Sequence, residues 1–346
     1  MSNNRSSASS WMIRLSAIAA AGALGVVLYV LAAPQAAIGA SAYTLTPTTN
    51  GMELKTPDGR VVFEYLAKKP EGVPMTASAA CFHPVNTPSG QRVTALAPND
   101  HPHHRGIFFG WHDAEFHTPA VVKADFWGWG SAAPREGRVV QNTEIKLASA
   151  DEKQAKVNIH NDWLVDGKKM GDEIDSATVS ERYGVFILDL EFRIAPLFEY
   201  VANKNAFGGF DVQCRKDGDS YYSTFYGKTT WADPQLSNPG LNLPDLPWYD
   251  FTIKVKEGGK VMGAAVINHP GNGPTTWHNI SNLWMLNPVV TAAGPITIQP
   301  KSPLTLRYRV VVHDGPPPTW VIQKLSDEYR SGAPSQRVPS SRAASR

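Results

Sequence analysis

Alternating apolar and polar residues recur between turn-forming positions along most of the chain, and this period-2 pattern predicts strands. The clearest runs are "RVVFEYL" from Arg60, "YGVFILDLEFRI" from Tyr183 and "LTLRYRVVVH" from Leu304. Each alternates, or stays apolar, over the length of a strand. Two further stretches predict hairpins: "WLVDGKKM" places Asp166-Gly167 between extended runs, and "FTIKVKEGGKVMGAAVI" places Gly258-Gly259 there. One helix is predicted, in "PTWVIQKLSDEYRSG". It follows three prolines, spaces Val321, Leu325 and Tyr329 on one face, and stops at Gly332. No repeat of twenty to fifty residues is present, which argues against a propeller or solenoid. The pattern predicts an all-β protein: a large antiparallel β-sandwich with one short C-terminal helix, in a single domain over residues 43–331.

The two ends of the chain differ from this body. Residues 1–42 combine Arg5 and Arg14 with an uncharged apolar run over residues 15–33 and an Ala-x-Ala arrangement at Ala40 and Ala42. This is the pattern of an export signal, or of an N-terminal anchor if it is retained, since the run is about long enough to cross a bilayer. Either outcome predicts an extracytoplasmic protein, periplasmic or secreted, that touches a membrane only through residues 15–33. Residues 332–346 have the composition of a disordered tail. The 33 basic and 31 acidic residues give a net charge of +2 without a Lys/Arg cluster, so nucleic acid is not an expected partner. The two cysteines, Cys81 and Cys214, do not make a zinc ribbon, and in an oxidising compartment they leave one disulfide open.

The densest chemistry lies in "NDHPHHRGIFFGWHDAEFHTP", which holds His101, His103, His104, His112 and His117, half of the ten histidines in the chain. Pro102 favours an edge or loop, and the apolar run Ile107–Trp111 predicts a buried strand beginning there. Downstream, "ADFWGWG" sets Asp125 beside Trp127 and Trp129, with glycines that let the backbone approach a ligand. Aromatic faces next to fixed polar groups suit a pyranose ring, whose faces are apolar and whose rim is hydroxylated.

Blocks of the sequence resemble a known family. The run "HPVNTPSGQRVTALAPNDHPHHRGIFFGW", then "DFWG", "GRVV", "NKNAFGGFDV", "LPWYDF", "VINHPGNGPTTWHNI", "LWMLNP" and "LRYRVVVHDG", is similar to the PmoA-type, or methane-oxygenase-like, family of exported bacterial proteins, over roughly Cys81 to Gly315. The segment "HDAEFHTPAVVKADFW" departs from the family pattern by adding Glu115 and His117. The oxygenase whose name the family borrows has several membrane spans, and this chain has at most one, so the name implies no activity. What the resemblance implies is a galactose-mutarotase-like supersandwich, a fold shared by sugar epimerases and by several polysaccharide lyases and hydrolases.

On this reading the expected function is carbohydrate chemistry by histidine acid/base catalysis: an epimerase, lyase or hydrolase acting on a sugar or glycan. The candidate catalytic residues are His103, His104, Arg105, Asp125, His269 and His278, with Trp127, Trp129 and Arg182 contacting substrate. No cofactor is expected. One alternative is a metal-dependent oxidoreductase with Cu or Zn held by His101, His103, His112 and Asp113. Another is a carbohydrate-binding protein without catalysis. Structural or surface roles are expected for His83 and His313, and packing roles for Trp163, Trp231 and Trp320.

Overall fold

A computed structural model describes residues 42–332. The expected export signal or anchor and the tail beyond Gly332 lie outside the described residues. Two antiparallel sheets face one another. The larger has nine strands, ordered from edge to edge as Gly227–Lys228, Gly218–Thr224, Trp248–Val255, Val261–Asn268, Leu304–Asp314, Val185–Pro196, Lys168–Arg182, Gln154–Val165 and Arg138–Ala150. The smaller has seven: Thr44–Pro47, Gly51–Lys55, Val61–Leu66, Cys81–Val85, Ile107–Gly110, Gly209–Gln213 and Met285–Leu286. Four short strands form a third sheet, among them Ala114–His117 and Glu199–Ala202.

Local sequence explains the regular parts. Buried and less buried residues alternate strictly along Gln154–Val165, so every second side chain enters the core. Asp166 and Gly167 both have positive φ, 49° and 76°, as a two-residue hairpin turn of the primed type requires. Gly258 and Gly259 serve the second expected hairpin with φ of 75° and 61°. Tyr183 and Gly184 make a third such turn, between Lys168–Arg182 and Val185–Pro196, that the run "YGVFILDLEFRI" conceals.

Between the sheets lies a core of aliphatic and aromatic side chains. Phe210 of the smaller sheet stacks on Tyr308 of the larger at 4.1 Å, and Phe109 stacks on Phe192 at 5.4 Å. The helix, Thr319–Ser331, packs on the outer face of the nine-stranded sheet. Ile322 and Leu325 bury there against Val185, Ile187, Trp248 and Val311, while Val321 and Tyr329 are only partly covered. Each of the two buried side chains contributes about 1.5–3 kcal/mol by leaving water. Among the described residues no helix is long and apolar enough to cross a membrane. Cys81 and Cys214 are free thiols, both buried, and burial pushes Cys81 up to about 12.

Candidate functional site

The site grows from the face of the seven-stranded sheet that turns away from the main core. Asp211 and Phe108 are register partners, so their side chains share that face, and Gln213 follows two residues on. A second apolar cluster, including Leu66, Cys81, Phe108, Trp127, Phe207 and Met285, covers the same surface. The chain segments carrying the histidines, the Asp-Phe-Trp block and the Phe-Gly-Gly block close over it.

Arg105 holds this layer together from within. Its guanidinium is fully buried, 4.1 Å over the Phe108 ring. It donates from Nη1 to the carbonyls of His103 and Trp127, each at 3.1 Å, and from Nη2 to Phe126 O at 3.3 Å. Arg105 therefore ties the histidine segment to the tryptophan segment, and its expected catalytic role gives way to a positioning role. Asp211 lies beneath with neither carboxylate oxygen bonded to protein. Burial holds its pKa well above the usual carboxylate range, against the opposing field of Arg105.

His101, His103 and His104 form a contiguous group of rings, with centroids 4.6–5.5 Å apart. His104 is anchored through Nδ1, 2.5 Å from Gln213 Oε1. Gln213 donates from Nε2 to the carbonyls of Cys214 and Leu283, which makes Oε1 its acceptor. The proton of His104 therefore sits on Nδ1, and Nε2 carries a bare lone pair. His278 is fixed in the same way. Asn242 donates from Nδ2 to Ala206 O and Thr276 Oγ1, and its Oδ1 accepts from His278 Nδ1 at 2.9 Å.

Aromatic rings join the two histidine segments. Trp129 stands 5.6 Å from His103 and 5.0 Å from Phe207. Phe207 stacks on His112 at 3.9 Å and lies 5.5 Å from His278. The turn carrying Phe207 is locked by Asn287, which accepts from Gly208 N and donates to Phe210 O. Gly208 and Gly209 have φ of 117° and 86°, which explains the double glycine beside His112 and Trp111.

Burial sets the electrostatics. It pushes His103 down to about 2 and His104 to about 3, aided in both by neighbouring imidazoles and Arg105. His278 falls to about 3 and His112 to about 4 for the same first reason. All four rings are neutral at pH 7. Burial raises Asp125 to about 6, although the N–H groups of Gly128 and Gly130 bond its oxygens and oppose the shift. Beside His103 and Asp125 lies a cavity of about 310 Å³, also lined by Thr76, Ser78, Phe126 and Arg135.

Other expected site residues fall elsewhere. His269 accepts from Gly271 N and packs on Tyr329 of the helix, 5.2 Å between centroids, with no ring contact or hydrogen bond to the histidine group. Its place at the end of Val261–Asn268 directs it to the opposite side of the nine-stranded sheet from the cluster. Arg182 pairs with Glu328 of the same helix. Trp127 has no exposed surface and packs on Phe108 and His104, so it supports the site; the half-exposed ring is Trp129. His117 lies on a surface strand between Glu115 and Glu199. His83 bonds Thr94, and His313 bonds Asp250 inside the core. Trp163 is packed as expected, whereas Trp231 and Trp320 are 44% and 68% exposed and so are not core packing.

The alternative metal donors do not converge. Asp113 accepts from Asn203 Nδ2 at 3.0 Å, and its carboxylate does not gather with donor nitrogens of His101, His103 and His112 within 4.8 Å. Among the described residues only His160, Asp162 and Asp172 gather so closely, and the ammonium of Lys169 already bridges the two carboxylates at 2.7 Å. Sequence reasoning missed Gln213, Asn242, Phe207 and Asn287. Phe207 sits in the quoted block "NKNAFGGFDV" beside two glycines, which was a signal; the three carboxamides are ordinary polar residues until the fold places Gln213 and Asn242 against imidazoles and Asn287 against the Phe207 turn.

With this geometry in place, the chain belongs to a family of unknown function, DUF6807, whose model matches residues 55–327. No curated protein matches. Among solved structures, a galactose mutarotase related enzyme from Lactobacillus acidophilus is 7% identical, with 78% of this chain and 97% of that chain covered and a TM-score of 0.32. A putative aldose 1-epimerase from Klebsiella pneumoniae subsp. pneumoniae is 8% identical, with 82% of each chain covered and a TM-score of 0.34. The Slr1438 protein from Synechocystis sp. PCC 6803 is 11% identical, with 79% and 96% covered and a TM-score of 0.31.

Proposed function

We propose that this protein is an exported, carbohydrate-active enzyme of the PmoA-type kind, and that the layer above the seven-stranded sheet is its sugar site. The carrying observation is a concentration of buried ring nitrogens without protein partners around two aromatic faces. His103 Nε2, His112 Nδ1 and His278 Nε2 are all of this kind, and they surround Trp129 and Phe207. Buried polar atoms are nearly always paired, so a group of orphans at one place marks where a polar ligand or ordered water belongs. A ligand rich in hydroxyls with apolar ring faces satisfies both halves of that surface.

The chemistry follows from the protonation states. A neutral imidazole whose proton is fixed on Nδ1 offers only an acceptor at Nε2, so His104 and His278 take hydrogen bonds from sugar hydroxyls. Burial keeps the His104 ring neutral at pH 7, so its bare Nε2 is free to accept a proton there. His104 thus fits a reaction in which a proton is removed from a sugar and returned to it, and epimerisation is the simplest such outcome.

The test is a screen of the protein against neutral and oxidised sugars by NMR, which reports binding, exchange at the anomeric carbon and bond cleavage together. Conversion by wild type that drops about 10²- to 10⁴-fold in His104→Gln, with binding largely kept, supports the enzyme. Binding that depends on Trp129 without conversion of any sugar leaves a carbohydrate-binding protein. Absence of both removes the sugar reading.

A further inference from the structure

The cavity beside His103 has a charged wall that the sugar reading does not use. Asp125 N donates to Pro134 O at 2.9 Å, which brings the segment after Pro134 back against the Asp-Phe-Trp turn. Arg135 is the first residue of that segment. Its stem packs on Gly130, and its Nη1 donates to Gly128 O at 3.2 Å, which fixes the guanidinium on the cavity wall.

The charge of Arg135 has only a loose partner. Its Nε lies 3.2 Å from Glu136 Oε1, and the Glu136 side chain is 80% exposed, so this is a surface ion pair between sequence neighbours. Such pairs contribute little, because water competes for both charges. The other arginine of the lining is committed: Arg138 donates to Asp166, to Glu136 O and to Lys123 O. Both oxygens of Asp125 are likewise held, by Gly128 N and Gly130 N. Glu136 lines the same cavity, but its carboxylate is free to swing into solvent, so Arg135 is the cation in the wall with a planar fork open to exchange its partner. His103, buried and without a partner at Nε2, faces the same cavity among Thr76, Ser78 and apolar Met75, Pro74 and Phe126.

We infer that this cavity receives a sugar bearing a carboxylate, a uronic acid, and that Arg135 is the residue that selects it. An entering carboxylate displaces Glu136 from the guanidinium and meets it in a half-enclosed place, where a forked, charge-assisted contact is worth more than the exposed pair it replaces. The hydroxyls of the same ring lie toward His103. This inference rests on the sugar reading of the site and names the substrate class.

The experiment is titration of the protein with matched sugars, glucuronate against glucose and galacturonate against galactose, for wild type, Arg135→Gln, Arg135→Lys and Trp129→Ala. At least one acid sugar should bind about 10- to 100-fold more tightly than its neutral counterpart in wild type. Arg135→Gln should abolish that preference while binding of the neutral sugar stays within about twofold, and Arg135→Lys should keep part of it. Equal affinity for acid and neutral sugars in wild type, with both weakened by Trp129→Ala, overturns the inference and leaves the sugar reading standing. A preference for the acid sugar that survives in Arg135→Gln overturns the role of Arg135. No binding of either kind in wild type overturns both readings.

Discussion

His278 donates from Nδ1 to Asn242 Oδ1 across 2.9 Å, a bond between loops 36 residues apart in sequence. Because Asn242 is fully engaged as a donor through Nδ2, the bond decides which nitrogen of His278 is protonated. Asn242→Asp should place a carboxylate at that nitrogen and favour the charged ring, so the His278 pKa should rise from about 3. The imidazole carbon resonances, followed from pH 3 to 8, check this. A His278 titration unchanged from wild type shows that the bond does not form.

The depressed histidines make a prediction about acid stability. Burial lowers His83, His103, His104, His112 and His278, to between about 2 and about 4. In the unfolded chain these rings bind protons below about pH 6.5, whereas in the folded protein they stay neutral. Stability from this source is fully present above about pH 6.5 and is lost as the pH falls toward the folded values. The slope is on the order of 1.4 kcal/mol per pH unit for each ring. Urea midpoints at pH 7.5 and pH 5.5 should therefore differ strongly, with the lower value in acid. Equal midpoints would show that the rings are solvated.

The two tryptophans of "DFWGWG" should separate cleanly. Trp127 is buried, so Trp127→Ala should cost about 3–5 kcal/mol of stability and lower the melting temperature. Trp129 is half exposed beside His101 and His103, so Trp129→Ala should leave the melting temperature nearly unchanged and weaken sugar binding. Scanning calorimetry and sugar titration of both variants give the comparison, and the reverse assignment would falsify the proposed orientation of the turn.

Removing the buried cation should be severe. Arg105→Met leaves the carbonyls of His103, Phe126 and Trp127 without their donor and Asp211 without the opposing charge of Arg105. The expected loss is roughly 3–5 kcal/mol, as for other broken buried charge contacts. Arg105→Lys should recover only part of it, since one ammonium cannot reproduce the fork. Chemical denaturation of both variants tests this, and a Lys variant as stable as wild type would show that charge alone matters.

Much of the fold was legible because strands and tight turns carry local signals. The alternation in "NIHNDWLV" and the Asp166-Gly167 turn each follow from the preferences of a few neighbouring residues. The gathering of imidazoles was legible by its density, and His103, His104 and His278 do meet in one layer with Trp129 through Phe207. Its roles were not legible. Arg105 and Trp127 have the residue types of substrate contacts, and only their burial shows that they hold the layer from beneath. His269 stands nine residues from His278 in one loop, yet the direction in which its strand ends sends it to the helix.

The sequence alone thus determined an antiparallel, strand-built protein with one late helix and a place where imidazoles gather, since periodicity, turn residues and composition act over a few positions at a time. The tertiary structure decided which imidazoles are neutral, which nitrogen of His104 and His278 is bare, and which aromatic face meets solvent. Those properties depend on burial and on partners such as Gln213 and Asn242, which lie far away along the chain and are brought close only by the closing of loops over a sheet.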